Sequence, residues 1–121
     1  MSDDTWSGGC QCGAVRFAFS VRPDNPCLCH CRMCQKAVGR FFAALVGIPD
    51  DALTWTRGAP SIFMSSDTTE RGFCGNCGTP LSCRYVGDDY TDMNIATLDD
   101  PDLVAPQRQI GNESRVFYLD G

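Results

Sequence analysis

The sequence lacks any apolar run approaching the ~20 residues of a membrane-spanning helix, so no membrane partner is expected. No secretory leader is expected either, since Met1-Ser2-Asp3-Asp4-Thr5-Trp6 is acidic and carries no apolar stretch. Basic residues are the minority, ten against fifteen acids for a net charge of −5, which argues against a nucleic-acid partner. Low-complexity segments and domain linkers are absent, and 121 residues fall within the usual size of one domain. Histidine occurs once, as His30, the lone conventional acid–base side chain near neutral pH. Long helices are missing too: Gln35 to Val38 and Asp99 to Leu103 could each hold a single turn.

What the chain has is cysteine. Of nine, eight fall into three clusters: Cys10-Gln11-Cys12, Cys27 to Cys34, and Cys74-Gly75-Asn76-Cys77. Two thiols one or two residues apart can reach the same ion, whereas a disulfide between them would close a small, strained ring. In the reducing, cytoplasmic setting that these features imply, clustered cysteines bind metal more often than they cross-link. Gly13 and Gly78 follow the outer pairs at once and let the backbone fold tightly over the sulfurs. Zinc is the expected metal.

The remaining pattern is that of strands. Val15, Phe17, Phe19 and Val21 alternate with smaller or polar residues, as a strand with one buried face does. A turn-rich loop, Pro23-Asp24-Asn25-Pro26, leads into the central cluster. Phe41 to Val46 reads as a largely buried strand, followed by short candidates at Leu53 to Thr56, Ser61 to Met64, Leu81 to Tyr85, Met93 to Thr97 and Val116 to Leu119. The expected class is all-β, with residues 1–7 a flexible N-terminus and 8–121 a single zinc-binding domain.

Cys10, Cys12, Cys74 and Cys77 would supply four thiolates from two knuckles, filling tetrahedral zinc and leaving no open position; such a site is structural. Cys29, Cys31 and Cys34 can converge on a second ion and leave its fourth position free, the pattern of a catalytic site. Three thiolates quench the Lewis acidity of zinc, so this site suits a further soft sulfur donor better than hydroxide. Cys27 is open to two readings, a fourth ligand that would close the site or a strand thiol. Cys83 reads as a buried core thiol. His30 reads as a neighbour of the ligands or a surface residue. No acidic residue falls between Asp24 and Asp50, while Arg32, Lys36 and Arg40 do; these could neutralise thiolates, receive an anionic ligand, or simply be solvated.

Three segments together resemble the glutathione-dependent formaldehyde-activating enzyme family, which includes centromere protein V. They are Gly9-Cys10-Gln11-Cys12-Gly13-Ala14-Val15-Arg16-Phe17, Cys29-His30-Cys31-Arg32-Met33-Cys34 and Arg71-Gly72-Phe73-Cys74-Gly75-Asn76-Cys77-Gly78. Ser65-Ser66 and Ser114-Arg115-Val116-Phe117 also fit, although relatives usually carry tryptophan in place of Phe117. The resemblance implies a zinc-binding β-tent of short antiparallel sheets with two zinc ions, one structural and one more labile. It implies carbon–sulfur lyase or synthase chemistry on thiol–aldehyde adducts such as S-hydroxymethylglutathione. Matched residue by residue, Cys10, Cys12, Cys74 and Cys77 correspond to the structural ligands, and Cys29, Cys31 and Cys34 to the catalytic ones. Arg32, Lys36, Arg40 and Arg71 are the candidates for holding the carboxylates of a small thiol substrate such as glutathione. The chain departs from its relatives at Gln109-Ile110, where they often carry histidine, and in Cys27. Two other functions compete with the enzyme: a zinc-stabilised binding module without chemistry, and a thiol redox or zinc sensor whose central cluster releases metal on oxidation.

Overall fold

A computed structural model describes residues 5–116. The strand expected at Val116-Phe117-Tyr118-Leu119 lies, apart from its first residue, outside them. Ten strands and one helix occur among the described residues: β1 (Trp6–Gly9), β2 (Arg16–Phe19), β3 (Asp24–Cys29), α1 (Arg32–Val38), β4 (Ala43–Pro49), β5 (Leu53–Arg57), β6 (Ser61–Met64), β7 (Thr69–Phe73), β8 (Pro80–Tyr85), β9 (Tyr90–Asn94) and β10 (Arg108–Ile110). The class is all-β, as expected. Strand β1 starts within the stretch 1–7.

The strands form a three-stranded sheet, β1-β2-β5, and a seven-stranded sheet, β10-β3-β4-β9-β8-β7-β6. Alternation along β2 turns Phe17 and Phe19 inward, where both are buried. Phe19 stacks on Trp6 with ring centroids 5.9 Å apart, and Phe17 meets Trp55 edge-on at 5.7 Å. These rings pack on Val46 and Ile48 of β4 and Met93 of β9, so the main core lies between the small sheet and one face of the large one. Cys10 and Cys74 belong to the same core, and the sulfur knuckle is thereby anchored to it.

Several elements depart from the sequence reading: β1, β7 and β10 are additional, the strand expected from Phe41 runs Ala43–Pro49, and Met93 to Thr97 is the end of β9 followed by a single turn. Two further departures bear on the site. The segment read as a loop at Pro23-Asp24-Asn25-Pro26 contains the start of β3. The register shifts between Asp24 and Cys27, and Asn25 takes a left-handed φ of 57°. A bulge of this kind lets a strand carry proline, which has no N–H for the ladder. The large sheet is also not purely antiparallel, because β10 runs parallel to β3, with Arg108 opposite Cys27 and Ile110 opposite Cys29. Parallel pairing needs a long return, and the chain makes it after β9 through single turns at Ile95–Thr97 and Pro101–Leu103.

The other face of the large sheet carries the second sulfur group. Cys27 and Cys29 of β3 and Ala43 and Leu45 of β4 form a small core with Cys34 of α1. Helix α1 lies across this face. Cys31 caps its start, its Sγ accepting from the Cys34 N–H at 3.4 Å, and the helix ends at Gly39, whose φ is 70°.

Candidate metal centres

The sulfurs of Cys10, Cys12, Cys74 and Cys77 lie within 4.8 Å of one another. Cys10 Sγ is 3.7 Å from Cys12 Sγ, which is 3.8 Å from Cys74 Sγ. Tetrahedral zinc–sulfur bonds of about 2.3 Å set their sulfurs about 3.8 Å apart, so the donor set fits zinc. Gly13 and Gly78, at φ 81° and 83°, make the left-handed turns that close the knuckles. The backbone N–H of Val15 points at Cys10 Sγ (3.3 Å), and those of Asn76 and Cys77 point at Cys74 Sγ (both 3.4 Å). Asn76 Nδ2 adds a contact to Cys12 Sγ at 3.3 Å. Donors aimed at sulfur favour the thiolate over the thiol. Thr79, first through its hydroxyl and then through its backbone, brings the Cys77 thiol down to about 5.

Cys29, Cys31 and Cys34 form the second group, also within 4.8 Å, with Cys29 Sγ 3.6 Å from Cys31 Sγ. The spacing again fits zinc, but the described residues bring no fourth ligating atom to this group. Cys27 is not a member. It lies two residues before Cys29 on the same face of β3, ~6.6 Å along the strand, and burial raises its thiol. The trio is held from three sides. Gly111, at φ 68°, packs so closely on Cys31 that a Cβ would sit 2.7 Å from the Cys31 nitrogen. Gln35 Nε2 donates to the carbonyls of His30 (2.8 Å) and Ser114 (3.0 Å), tying α1 to both flanks. Arg71, buried to 6% exposure, places Nη2 3.4 Å from Cys34 Sγ and Nε 3.0 Å from Ser65 Oγ. It has no carboxylate partner among the described residues; its counter-charge is sulfur. The hydrogen bond from Cys29 first, and the Arg71 guanidinium after it, lower the Cys34 thiol against the effect of burial. Cys29 is raised in turn, by its bond to Cys34 and then by burial.

The four candidate substrate-binding residues separate. Arg71 touches the sulfur group. Arg32, Lys36 and Arg40 line a different cavity of about 490 Å³ with Phe41 and Val116. At ~100° per residue, Arg32 and Lys36 stand roughly opposite Cys34 on α1. His30 is not a surface residue: it is 1% exposed, with Nε2 2.7 Å from Gln109 Oε1, its backbone N–H donating to Ile110 O at 2.9 Å, and its ring against Phe42. Gln109 thus partners His30 from β10. Cys83 is buried, and burial pushes it up to about 11. Sequence reasoning misses Gln35, Thr79 and Asp92. Asp92 could be found by extending β9 back to Tyr90, since period-two alternation then puts it on the face of Asn94.

Fold and sulfur groups together define a small β protein built around two cysteine clusters, each of which could hold a metal ion. The family model for the glutathione-dependent formaldehyde-activating enzyme matches residues 5–114, and the chain belongs to that family. A protein of Phaeosphaeria nodorum named for glutathione-dependent formaldehyde activation is 30% identical over 93 residues, covering 71% of this chain and 49% of its own length. An uncharacterized lyase of Schizosaccharomyces pombe is 27% identical over 81 residues, covering 67% and 58%. The chain therefore spans about half the length of these curated relatives. A crystal structure of a Rhodobacter sphaeroides protein matches in fold, with a TM-score of 0.67 over 85% of this chain and 98% of that one, at 21% identity.

Proposed function

We propose that the chain is a zinc-dependent carbon–sulfur lyase and synthase that joins and separates a small thiol and an aldehyde, as in S-hydroxymethylglutathione. The observation that carries this reading is the inequality of the two sulfur groups: four donors in one, three in the other, at similar spacing. The four-thiolate group is assigned to structural zinc and the trio to the reaction. Zinc on the trio would supply an open position for a soft donor, holding a substrate sulfur as thiolate. The chain's own residues do the rest. Arg71 balances the negative charge of the trio and keeps Cys34 in place. Burial of Cys29 and Cys34 limits water at the sulfurs. Arg32, Lys36 and Arg40 place positive charge on the outer side of α1, where it draws an anionic thiol toward this end of an acidic protein. Burial of Cys29 and Cys34 as free thiols suits a reducing, cytoplasmic setting.

The test is exchange spectroscopy on glutathione and formaldehyde. The zinc-loaded protein should speed exchange between free and adduct forms, and Cys31→Ala should abolish this while losing one of two bound ions and keeping its fold. Exchange at the rate of the protein-free solution would remove the enzyme reading and leave the binding module in its place.

A further inference from the structure

The trio needs a proton acceptor. His30 has Nδ1 without a partner among the described residues, but the ring is 1% exposed, with Nε2 on Gln109 and its face against Phe42, so no proton path to solvent runs through it. The sheet offers another group. Cross-strand partners project to the same side, so pairing of Arg71 with Cys83 and of Cys83 with Asp92 sets the three in a row on the face that carries the trio. Arg71 ends that row on Cys34 Sγ. On the other side of Asp92 stands Gly47, whose missing side chain leaves the carboxylate open; a Cβ there would lie 3.5 Å from Asp92 Oδ1.

Asp92 differs from other acids packed on this sheet. Asp50 is bound by Arg84 and Thr91, and Glu70 by Arg84, whereas the Asp92 carboxylate takes no hydrogen bond or ion pair among the described residues. An unpaired, half-buried carboxylate is costly to keep ionised and is a frequent mark of function. Burial raises its pKa, and the charge of Asp88 raises it further. Its own charge is felt at Cys27 and Cys83.

We infer that Asp92 is the catalytic base and acid of the thiol–aldehyde reaction, exchanging a proton with the hydroxyl of the adduct. This rests on the reaction proposed above. In the lyase direction the Asp92 carboxylate takes the hydroxyl proton of an S-hydroxymethyl thiol, and the O–H electron pair forms the carbonyl of formaldehyde. The carbon–sulfur bond breaks and its pair leaves on sulfur as thiolate. Asp92, now protonated, returns the proton to the thiolate or to water. The synthase direction is the reverse, joining the thiol and the aldehyde, and neither direction needs an oxidant or reductant.

The experiment measures adduct formation and breakdown by exchange spectroscopy for the zinc-loaded wild type, Asp92→Asn, Asp92→Glu and Asp92→Gly, with metal content and melting temperature recorded for each. General acid–base groups contribute about 100-fold or more, so Asp92→Asn should lower kcat by that factor with KM and bound zinc unchanged. Asp92→Glu should retain more activity than Asp92→Asn, and added formate should restore part of the rate of Asp92→Gly. A purely structural aspartate would show neither response. An active wild type with Asp92→Asn equally active, or with Asp92→Glu as impaired as Asp92→Asn and no formate response, overturns the role of Asp92 and leaves the reaction standing. A wild type that does not speed exchange overturns the reaction, and Asp92's role with it.

Discussion

Replacing Arg71 by methionine should strip the second centre of its buried counter-charge while leaving the first centre intact. The substitution keeps an apolar stem of similar length in a site that is 6% exposed, so the cavity left behind is small. What is lost is the Nη2 contact to Cys34 Sγ at 3.4 Å and the Nε contact to Ser65 Oγ at 3.0 Å. Hydrogen bonds to charged groups contribute about 1.5–3 kcal/mol. Groups that orient metal ligands from outside are separately worth about 10–100-fold in metal affinity, equivalent to about 1.4–2.7 kcal/mol. The two routes agree on about 2 kcal/mol. A competitive chelator titration of the loaded protein should therefore show one zinc released at about 10–100-fold lower chelator concentration, the other unmoved. Unchanged release of both ions would show that Arg71 does not support the trio, and equal weakening of both would show that the centres are not separate.

Three further outcomes follow from the same geometry. Cys77→Ser removes a donor from the four-cysteine group; zinc held there would contribute folding energy outright, so the variant should unfold or become insoluble, and a soluble variant with the wild-type melting temperature would refute the structural assignment. Phe17→Ala empties a fully buried position between Phe19 and Trp55 and should cost about 3–5 kcal/mol in denaturant unfolding; a loss below about 1 kcal/mol would place the main core elsewhere. Asp99 is held below the ordinary carboxylate pKa by Arg16 first and Ser7 second, so its contribution is present above the ordinary value and is lost as pH falls through the lowered one. At this exposed pair, Asp99→Asn should cost at most about 1 kcal/mol at neutral pH and nothing at strongly acid pH; a penalty independent of pH would contradict the ion pair.

Cysteine spacing makes the two sulfur groups legible in the sequence itself, because neighbouring thiols in a knuckle can reach little except one ion. Alternating aromatics reveal β2, and the run Ser61 to Met64 marks β6 at its observed limits. Short strands with polar or proline-bearing sequences are harder. Asp24-Asn25-Pro26 carries turn chemistry, and only the pairing of Asp24 with Gly47 of β4, ahead of a register shift, makes it the start of a strand. Thr69–Phe73, with charges at Glu70 and Arg71, shows no clean apolar alternation, because Arg84 neutralises one and sulfur the other. Arg32, Lys36 and Arg40 look equivalent to Arg71 by sequence proximity to thiolates. The helix carries Arg32 and Lys36 away from Cys34, whereas a strand remote in sequence brings Arg71 to it. For Asp92, alternation along β9 gives the face, but its neighbours Cys83 and Gly47 are defined only by cross-strand register.

If the trio is an open centre that receives a substrate sulfur, X-ray absorption at the zinc edge, on the protein loaded with two zinc ions, will read it out. With four sulfurs in one group and three in the other, the free protein should show an average of 3.5 sulfur neighbours per zinc. Glutathione should raise that average to about four, full tetrahedral thiolate coordination, and S-methylglutathione should leave it unchanged. Four sulfurs per zinc before any thiol is added, or no rise with glutathione, would mean that the trio is not an open sulfur-binding centre.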